Sequence, residues 1–372
     1  MRLKHLTSAG AVAALALSLP ASATRVFVEP DATGANDGTS WSDALVSLQD
    51  ALRSTLLEIA NPREQHEVWV KGSVYRTDDG ANLVLGDELV SFVMRPETLV
   101  YGGIAGGESE LKDRDIDQFE TVLTGDLGTG NAVHVVSGHV DQNTDLNIRD
   151  GLHGVTVTGG FANVDVSEPI RNGRGGCFFA NENTNKLTLA ASTFKENDAV
   201  TGAGASVDVI PSPFNINGIT EPEDANETII SGNIFTANRA TITALPPAAA
   251  ETGGGGLALV GGTVKATVMN NIFHDNSVAD PVEGDQFPAG CGGVALFESI
   301  PLLLNTRSST TPPADQILVA RVCTSGRKSS IPDRRFRCSR RTSSSGATLE
   351  VAPAVDRSRP RSTSARTPKS RR

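Results

Sequence analysis

The chain has 372 residues and carries 33 Lys and Arg against 43 Asp and Glu, which gives a net charge of −10. Residues 301–372 hold 16 of the basic and 4 of the acidic residues, a charge of +12, so the preceding residues carry −22. The acidic body argues against nucleic-acid binding, the change of sign marks a boundary, and only four cysteines argue against a disulfide framework.

Residues 1–23 have the pattern of a secretory signal peptide. Arg2 and Lys4 precede an apolar stretch over residues 11–19, and residues 21–23 (Ala-Ser-Ala) form a small-residue cleavage site. The apolar stretch is too short to span a membrane. We therefore expect cleavage after Ala23, a secreted or cell-surface location, and no transmembrane segment after cleavage.

Residues 24–70 are predicted to form a strand followed by a capping helix. Ser42 can cap the helix, and Asn61-Pro62 ends it. The apolar stripe consists of residues at helical spacing, namely Leu45, Leu48, Leu52, Leu56 and Ile59. A stack of strands needs such a cover because its open end otherwise promotes aggregation.

Two short motifs alternate between residues 175 and 293. The first is a glycine pair, which occurs as Gly175-Gly176, Gly255-Gly256 and Gly292-Gly293. The second is Phe-x-x-Asn, which occurs as Phe194 with Asn197, Phe235 with Asn238 and Phe273 with Asn276. The offset from Gly175 to Phe194 differs by a single residue from the offset between Gly255 and Phe273. A near-constant offset predicts stacked coils that bury a core only against their neighbours.

Each residue type in these motifs has a physical reason. Glycine permits a positive φ or a close approach between coils, and Phe is large enough to fill the interior. Asn tolerates a left-handed conformation at the following turn and can bond exposed backbone there. Cys177 follows the first glycine pair, and it either forms a disulfide with Cys291 or is, like Cys291, a small buried residue.

These motifs resemble the repeats of bacterial polymorphic outer-membrane proteins, which pair Gly-Gly-Ala-(Ile/Leu/Val) with Phe-x-x-Asn. The opening segments, among them residues 37–41 (Asp-Gly-Thr-Ser-Trp) and 101–107 (Tyr-Gly-Gly-Ile-Ala-Gly-Gly), are similar to those of large secreted bacterial β-helix proteins. The resemblance covers residues 24–299, although Cys177 and Val294 replace the Ala of the glycine motif. It implies an all-β fold, a right-handed parallel β-helix of the pectin-lyase-like kind over residues 71–299.

Residues 300–372 lose both motifs and become rich in Ser, Arg, Thr and Pro. Too little apolar surface remains there to offset the entropy of ordering, so we expect a disordered tail. One explanation is an electrostatic tether to anionic lipid, polysaccharide or nucleic acid. The other is a frameshifted or truncated end, because no Phe-x-x-Asn follows the third glycine pair.

The acidic side chains do not form a recognisable catalytic set. Asp78-Asp79 lacks the other motifs of polygalacturonase-like hydrolases, and sequence cannot place a second carboxylate opposite it. The densest acidic cluster contains Asp113, Asp115 and Asp117, which could bind Ca²⁺ but lack the Gly and distal Glu of an EF-hand loop. A solvated loop is the preferred interpretation.

The histidines give no metal site, since His134, His139 and His153 do not have the spacing of metal ligands. We therefore assign no catalytic residue, no metal and no cofactor. The expected function is that of a non-catalytic secreted or cell-surface protein, used for adhesion or as an envelope component, with polysaccharide or other cell-surface partners. The alternatives are a lyase, epimerase or hydrolase acting on acidic glycans, or a truncated product without function.

Overall fold

The computed structural model describes residues 24–54, 66–95, 98–138, 150–162, 173–180, 187–208, 227–241, 253–260, 265–279, 292–297, 302–304, 306–309, 322–325 and 337–339. Within these ranges the regular secondary structure is nearly all β-strand, and the strands form four sheets. The predicted signal peptide lies outside the described residues.

Within the described ranges, the first two sheets contain eight and seven strands, and regular corners connect them. The first sheet consists, in spatial order, of β1 (Arg25–Val28), β2 (His66–Lys71), β5 (Thr98–Ile104), β8 (Asp150–His153), β12 (Leu187–Ala190), β16 (Glu227–Ser231), β20 (Lys265–Met269) and β24 (Leu302–Leu304). The second sheet consists of β3 (Val74–Arg76), β6 (Val122–Thr124), β9 (Thr156–Thr158), β13 (Thr193–Lys195), β17 (Ile234–Thr236), β21 (Ile272–His274) and β25 (Arg307–Ser309).

The other two sheets complete each circuit of the chain. The third sheet is small and consists of β10 (Phe161–Ala162), β14 (Asp198–Ala199), β18 (Arg239–Ala240) and β22 (Ser277–Val278). The fourth sheet consists of β4 (Phe92–Met94), β7 (Val136–Gly138), β11 (Phe178–Ala180), β15 (Ala205–Asp208), β19 (Leu257–Val260), β23 (Val294–Phe297), β26 (Val322–Ser325) and β27 (Arg337–Ser339).

From β8 onward the chain visits the first, second, third and fourth sheets in the same order, four times, through to β23. Each strand pairs in parallel with the strand one circuit later, and the described exception is the antiparallel pair β26 and β27. A chain that repeatedly returns to the same sheets through parallel pairing has the topology of a parallel β-solenoid. The all-β, repetitive architecture is therefore as the sequence predicts.

The interior of the stack is built from like residues in register. In the second sheet, Phe194, Phe235 and Phe273 lie opposite one another and each is 0% exposed. Their ring centroids are 4.8 and 4.6 Å apart, with interplanar angles of 11° and 4°. In the first sheet the corresponding inward row is aliphatic, with Val100 and Leu152 each 1% exposed.

The helix near the N-terminus is shorter than predicted. It is α1 (Leu48–Leu52), and its N-cap is Ser47, whose side chain accepts from the backbone N–H of Asp50. Ser42 does not cap it, because residue 45 is extended and forms a parallel bridge with Val28 of β1. The remainder of the predicted helix, from residue 55 on, lies outside the described residues. The helix packs against β1, β2 and β4, the first strands of two sheets, so it covers the N-terminal end of the stack.

The corners of the coil differ in how strictly their length is kept. In four successive coils, two residues separate the first-sheet strand from the second-sheet strand, and two separate the second from the third. In contrast, the segments from the third to the fourth sheet differ in length, being short between β14 and β15 and long between β18 and β19. Those from the fourth to the first sheet also differ, being short between β19 and β20 and long between β15 and β16. The two-residue corners all begin with a residue of positive φ.

The parallel ladders continue past the predicted boundary at residues 299 and 300. Strands β24, β25 and β26 pair with β20, β21 and β23, so the start of the basic region adds strands to three sheets. Backbone pairing does not require the repeat's side chains, and Ser308 takes the position opposite Phe273. The rest of the predicted tail, apart from residues 322–325 and 337–339, lies outside the described residues.

Replacing Phe235 by Ala should lower the free energy of unfolding by about 3–5 kcal/mol, because it removes the middle ring of a buried stack and leaves a cavity. Urea denaturation followed by circular dichroism measures the change. Ile234→Ala is the matched control, since Ile234 lies on the same strand with 37% exposure. Its cost should be below about 1 kcal/mol, and equal losses in the two variants would contradict a buried stack.

Candidate functional site

The Asn residues of the Phe-x-x-Asn motif form a ladder at the corner between the second and third sheets, in which Asn197 and Asn238 are buried and Asn276 is half-buried. The Asn197 side-chain amide donates to Asn238 Oδ1 at 2.9 Å, and the Asn238 amide donates to Asn276 Oδ1 at 2.9 Å. The Asn238 amide also donates to the carbonyl of Phe194 at 2.8 Å. This ladder satisfies backbone groups that the turn would otherwise leave buried and unpaired.

The sequence suggested that the Asn has the left-handed conformation at this corner, but another residue has it. It is the residue immediately before, which is Glu196, Ala237 or Asp275 in successive coils. Placing the Asn second in a two-residue corner directs its side chain along the stack, where it bonds the neighbouring coil. The Asn is therefore present for its side-chain amide and not for its backbone tolerance.

A second ladder lies at the corner between the first and second sheets, and it was not predicted from the sequence. Asn233 and Asn271 are each 0% exposed, and the Asn233 amide donates to Asn271 Oδ1 at 3.0 Å. The Ser192 backbone N–H donates to Asn233 Oδ1 at 3.0 Å, so Ser192 takes the equivalent place one coil earlier. The signal was available in the sequence, since Asn-Ile-Phe-x-x-Asn occurs twice, from Asn233 and from Asn271.

The glycine motifs align one residue differently from the prediction. Phe178 and Leu257 occupy the same position in the fourth sheet, because both pair with Ala205. Gly175 is therefore equivalent to Gly254, and not to the next glycine of the four-glycine run. Both have a positive φ, and the offset from Gly254 to the following motif Phe equals the offset in the first repeat. The run of four glycines had concealed the register.

The central glycine of each motif lies against a neighbouring carbonyl group. A Cβ on Gly176 would lie 2.3 Å from the Asp198 carbonyl oxygen, and one on Gly255 would lie 2.4 Å from that of Ser277. Gly292 makes an equally close approach, at 2.3 Å, to a carbonyl oxygen at the preceding corner. Any side chain at these positions would push the backbone apart.

The glycine after the central position makes room for the Phe stack in the later coils, whereas Cys177 takes this place in the first motif. A Cβ on Gly204 would lie 3.0 Å from the ring of Phe235, and one on Gly256 would lie 2.7 Å from the ring of Phe273. Gly293 occupies the same position one coil further on. The glycine and Phe motifs are thus two halves of one packing arrangement, and they are scaffold rather than a binding site.

The two adjacent acids Asp78 and Asp79 do not act together. Asp78 is 1% exposed, and its two carboxylate oxygens accept from Arg76 at 3.0 and 2.9 Å. Its second oxygen also accepts from the backbone N–H of Gly86 at 2.7 Å, and these bonds lower its pKa although burial opposes them. Asp79 is exposed. Asp78 therefore holds a turn and does not face an open groove.

The acidic cluster of residues 113–117 is a solvated turn. Asp113, Asp115 and Asp117 are all exposed. The Asp115 carboxylate accepts from the backbone N–H groups of Asp117 and Gln118 at 3.1 and 3.0 Å. Within the described residues, no group of three or more His, Cys, Asp or Glu side chains is arranged to hold a metal ion.

Of the three histidines considered above, His134 and His153 are at least half-buried, and Cys177 is buried. His134 donates from Nδ1 to the Gly175 carbonyl at 2.9 Å, and its burial lowers its pKa. Cys177 is fully buried as a free thiol, and burial raises its pKa. Cys291, the predicted alternative partner of Cys177, and His139 lie outside the described residues.

A different set of side chains forms a continuous row on the outer face of the first sheet. Phe27, Trp69, Tyr101 and His153 lie opposite one another on β1, β2, β5 and β8. They face outward because the alternate residues of these strands form the core. The next residue in the row is Ala190, so a row of rings ends beside a small side chain.

The N-terminal part of this row is covered by Arg25. Its guanidinium lies 3.8 Å from the centroid of Trp69, which is 0% exposed as a result. Glu67 accepts from Arg25 at 3.1 Å and from the Trp69 ring nitrogen at 2.9 Å. The charges here are therefore paired, and Phe27 remains only partly buried, 4.8 Å from the ring of Trp41.

The C-terminal part of the row is covered by a segment that follows the short 3-10 turn Leu111–Asp113. The Asp115 backbone N–H donates to the Gly103 carbonyl at 2.9 Å, which fixes the segment against β5. The Ile116 side chain packs against Gly103 and Gly154. A Cβ on these glycines would lie 2.3 and 2.7 Å, respectively, from the Cγ2 methyl group of Ile116. Glycines after Tyr101 and His153 thus let this segment approach the sheet.

This approach places Arg114 beside the last two rings of the row. Its guanidinium lies 2.8 Å from His153 Nδ1, 3.3 Å from His153 Nε2 and 5.4 Å from the centroid of Tyr101. It also donates to the carbonyls of Gly102 and His153, each at 3.4 Å. Arg114, His153 and Tyr101 are contributed by two strands and a loop, so no spacing in the sequence brings them together.

Burial dominates the electrostatics of this cluster. It lowers the pKa of His153 to about 4, with the positive charge of Arg114 as a second cause. Burial also lowers the pKa of Arg114, and it raises the pKa of Tyr101. At neutral pH the cluster consists of a guanidinium cation, a neutral imidazole and a neutral phenol.

No protein-family model, curated protein or solved structure matches this chain. Among the helices of the described ranges, none has the length and apolar character needed to cross a lipid bilayer.

Replacing Asn238 by Asp should lower the free energy of unfolding at pH 7 by about 2–3 kcal/mol, because a buried carboxylate cannot donate to Asn276 or Phe194. Burial among carbonyl oxygens would raise the folded-state pKa of the new carboxyl. The variant should therefore be closest to wild type below about pH 4 and lose stability as the pH rises toward that raised value. Urea titrations at several pH values test this, with exposed Asn82→Asp as the control. A pH-independent difference would contradict the buried ladder.

The His153 imidazole should remain neutral down to about pH 4, as followed by NMR titration of its ring signals. Arg114→Gln should raise this pKa by removing the charge, while burial keeps it below the ordinary value of about 6.5. Lys195→Gln, which removes a charge on the second sheet, should leave it unchanged. Because the unfolded chain takes up this proton first, His153 should destabilise the fold as the pH falls from about 6.5 to 4. A wild-type midpoint near 6.5 would refute the contact.

Proposed function

We propose that this protein is a non-catalytic secreted or cell-surface protein that binds polysaccharide or another component of the cell surface, as an adhesin or envelope component. The observation that carries the proposal is the outer row of the first sheet, in which Phe27, Tyr101 and His153 stay partly exposed and are held in register beside the buried Trp69. Aromatic rings with polar tips are well suited to bind ligands that have both apolar faces and hydroxyl groups.

The acidic residues support a binding role rather than glycosidic chemistry. Hydrolysis of a glycosidic bond uses two carboxyl groups on opposite sides of the bond, one protonated and one ionised. Asp78 is held by Arg76, and Asp113, Asp115 and Asp117 are exposed on one turn. Within the described residues these groups do not form such a pair.

We further propose, on the resemblance to polymorphic outer-membrane protein repeats, that the coils form a right-handed β-helix of the pectin-lyase-like kind. Right-handed crossover is the usual hand of parallel strand connections. The amino-terminal signal pattern supports export.

A polysaccharide-active lyase, epimerase or hydrolase is the second candidate, and one observation favours it. His153 is a neutral imidazole beside the cation Arg114, and a neutral imidazole can accept a proton. Its Nδ1 already accepts from Arg114, however, and a pKa of about 4 makes it a weak base at neutral pH. These features make a binding role the better conclusion.

The purified mature chain should sediment with insoluble polysaccharides or cell-wall fractions and release no product from them. Binding is measured by pull-down, and product by reducing-end and unsaturated-uronate assays on the same samples. A heat-unfolded sample of the same chain is the control. Product release at a rate that grows with protein concentration would replace this proposal by the enzymatic one, and the lack of any binding would refute it.

A further inference from the structure

The charge of Arg114 is partly withdrawn from water without a carboxylate to balance it. Within the described ranges its guanidinium contacts two carbonyl oxygens, the ring of His153 and the face of Tyr101, and forms no ion pair. Glu67, on neighbouring strand β2, is already held by Arg25 and Trp69. A half-buried cation that lacks a counter-charge is less stable than one that is paired.

The contact with Arg114 fixes the proton of His153. A guanidinium can only donate, and Nδ1 of His153 is the nearer ring nitrogen at 2.8 Å, so Nδ1 must accept. The single proton of the neutral ring is therefore on Nε2, which lies 3.3 Å from the same guanidinium nitrogen. The Tyr101 hydroxyl forms no hydrogen bond within the described residues and is a further donor. The guanidinium and the Tyr101 hydroxyl thus bring hydrogen-bond donors and one positive charge into a single cluster.

The side chains of the outer row become smaller next to this cluster. Beyond His153 come Ala190 and Ser231 at the equivalent positions of β12 and β16. The exposed side of the imidazole therefore stands above small side chains and is not covered by another ring. This leaves a step on the outer face of the first sheet where a small group can approach the donors.

We propose that Arg114, His153 and Tyr101 form a binding site for a planar carboxylate group of a ligand. Within the described residues the Nε–H of Arg114 has no partner, and with the second N–H of Nη2 it forms a fork that matches the two oxygens of a carboxylate. Charge-assisted hydrogen bonds of this kind are stronger than neutral ones. This assignment rests on the proposed function, because it names the chemical group by which a ligand is held on the outer face. The exposed acids of residues 113–117 repel anions, which limits the affinity of the isolated group.

NMR titration of the full mature chain tests the site, with the ring signals of His153 and Tyr101 as the readout. Glucuronate should shift both signals and saturate, glucose should bind at least tenfold more weakly, and acetate should compete with glucuronate. The ratio of the acetate and glucuronate affinities tells whether the carboxylate alone or a carboxylated sugar is recognised. Binding of glucose as tight as that of glucuronate, or of inorganic sulfate as tight as both, would overturn the proposal.

Substitutions test whether glucuronate binds at the proposed cluster. Arg114→Gln should weaken glucuronate at least tenfold, Arg114→Lys should weaken it less, and Tyr101→Phe, which removes only a hydroxyl, should weaken it several-fold. Lys195→Gln is the matched control for loss of one positive charge and should have no effect. Unchanged binding in both Arg114→Gln and Tyr101→Phe refutes the site, and the Tyr101 variant serves if the Arg114 variant fails to fold.

The outcome for this site is separable from that for the proposed function. If wild type and Arg114→Gln sediment equally with polysaccharide, the surface binds glycans but not through this cluster. If glucuronate saturates the cluster while no polysaccharide sediments with the wild type, the carboxylate site stands and the adhesive role fails.

Discussion

The structure depends on one constraint: parallel strands must stack in register, so that each side chain lies over its equivalent in the next coil. Neighbouring strands are about 4.8 Å apart, and the Phe rings of the second sheet repeat at 4.8 and 4.6 Å. At this spacing flat rings stack and amide groups reach one another. The Phe column and the two Asn ladders are therefore direct consequences of the register, and the glycines are required because the coils approach so closely.

The repeats let the sequence predict the general architecture, because identical residues in successive coils have identical environments. Phe-x-x-Asn identified the interior and one corner correctly, but the four glycines from 253 to 256 hid a one-residue shift. The predicted helix was too long because periodicity does not show that residue 45 pairs with β1. The basic composition after residue 300 did not reveal strands β24 to β26, since backbone pairing does not depend on the repeat's side chains.

The candidate site could not be found in the same way. Arg114 belongs to a loop, and it meets Tyr101 and His153 only because those residues lie opposite each other in strands that are far apart in the sequence. Their common position follows from the pairing register, which has no motif in the sequence. The scaffold repeats and can therefore be predicted from the sequence. The side chains of the outer surface differ from coil to coil, and they determine the chemistry of this protein.

The unequal corners have a consequence for how such a chain can change. Two connections of each coil have a fixed length, since one residue added to a two-residue corner would turn the next strand to its opposite face. The connections on the other two sides have no fixed length, as the short segment between β19 and β20 and the long one between β15 and β16 show. New loops can therefore be grafted after the third- and fourth-sheet strands without disturbing the stack, which makes those sides the permissive sites for evolution and for engineering.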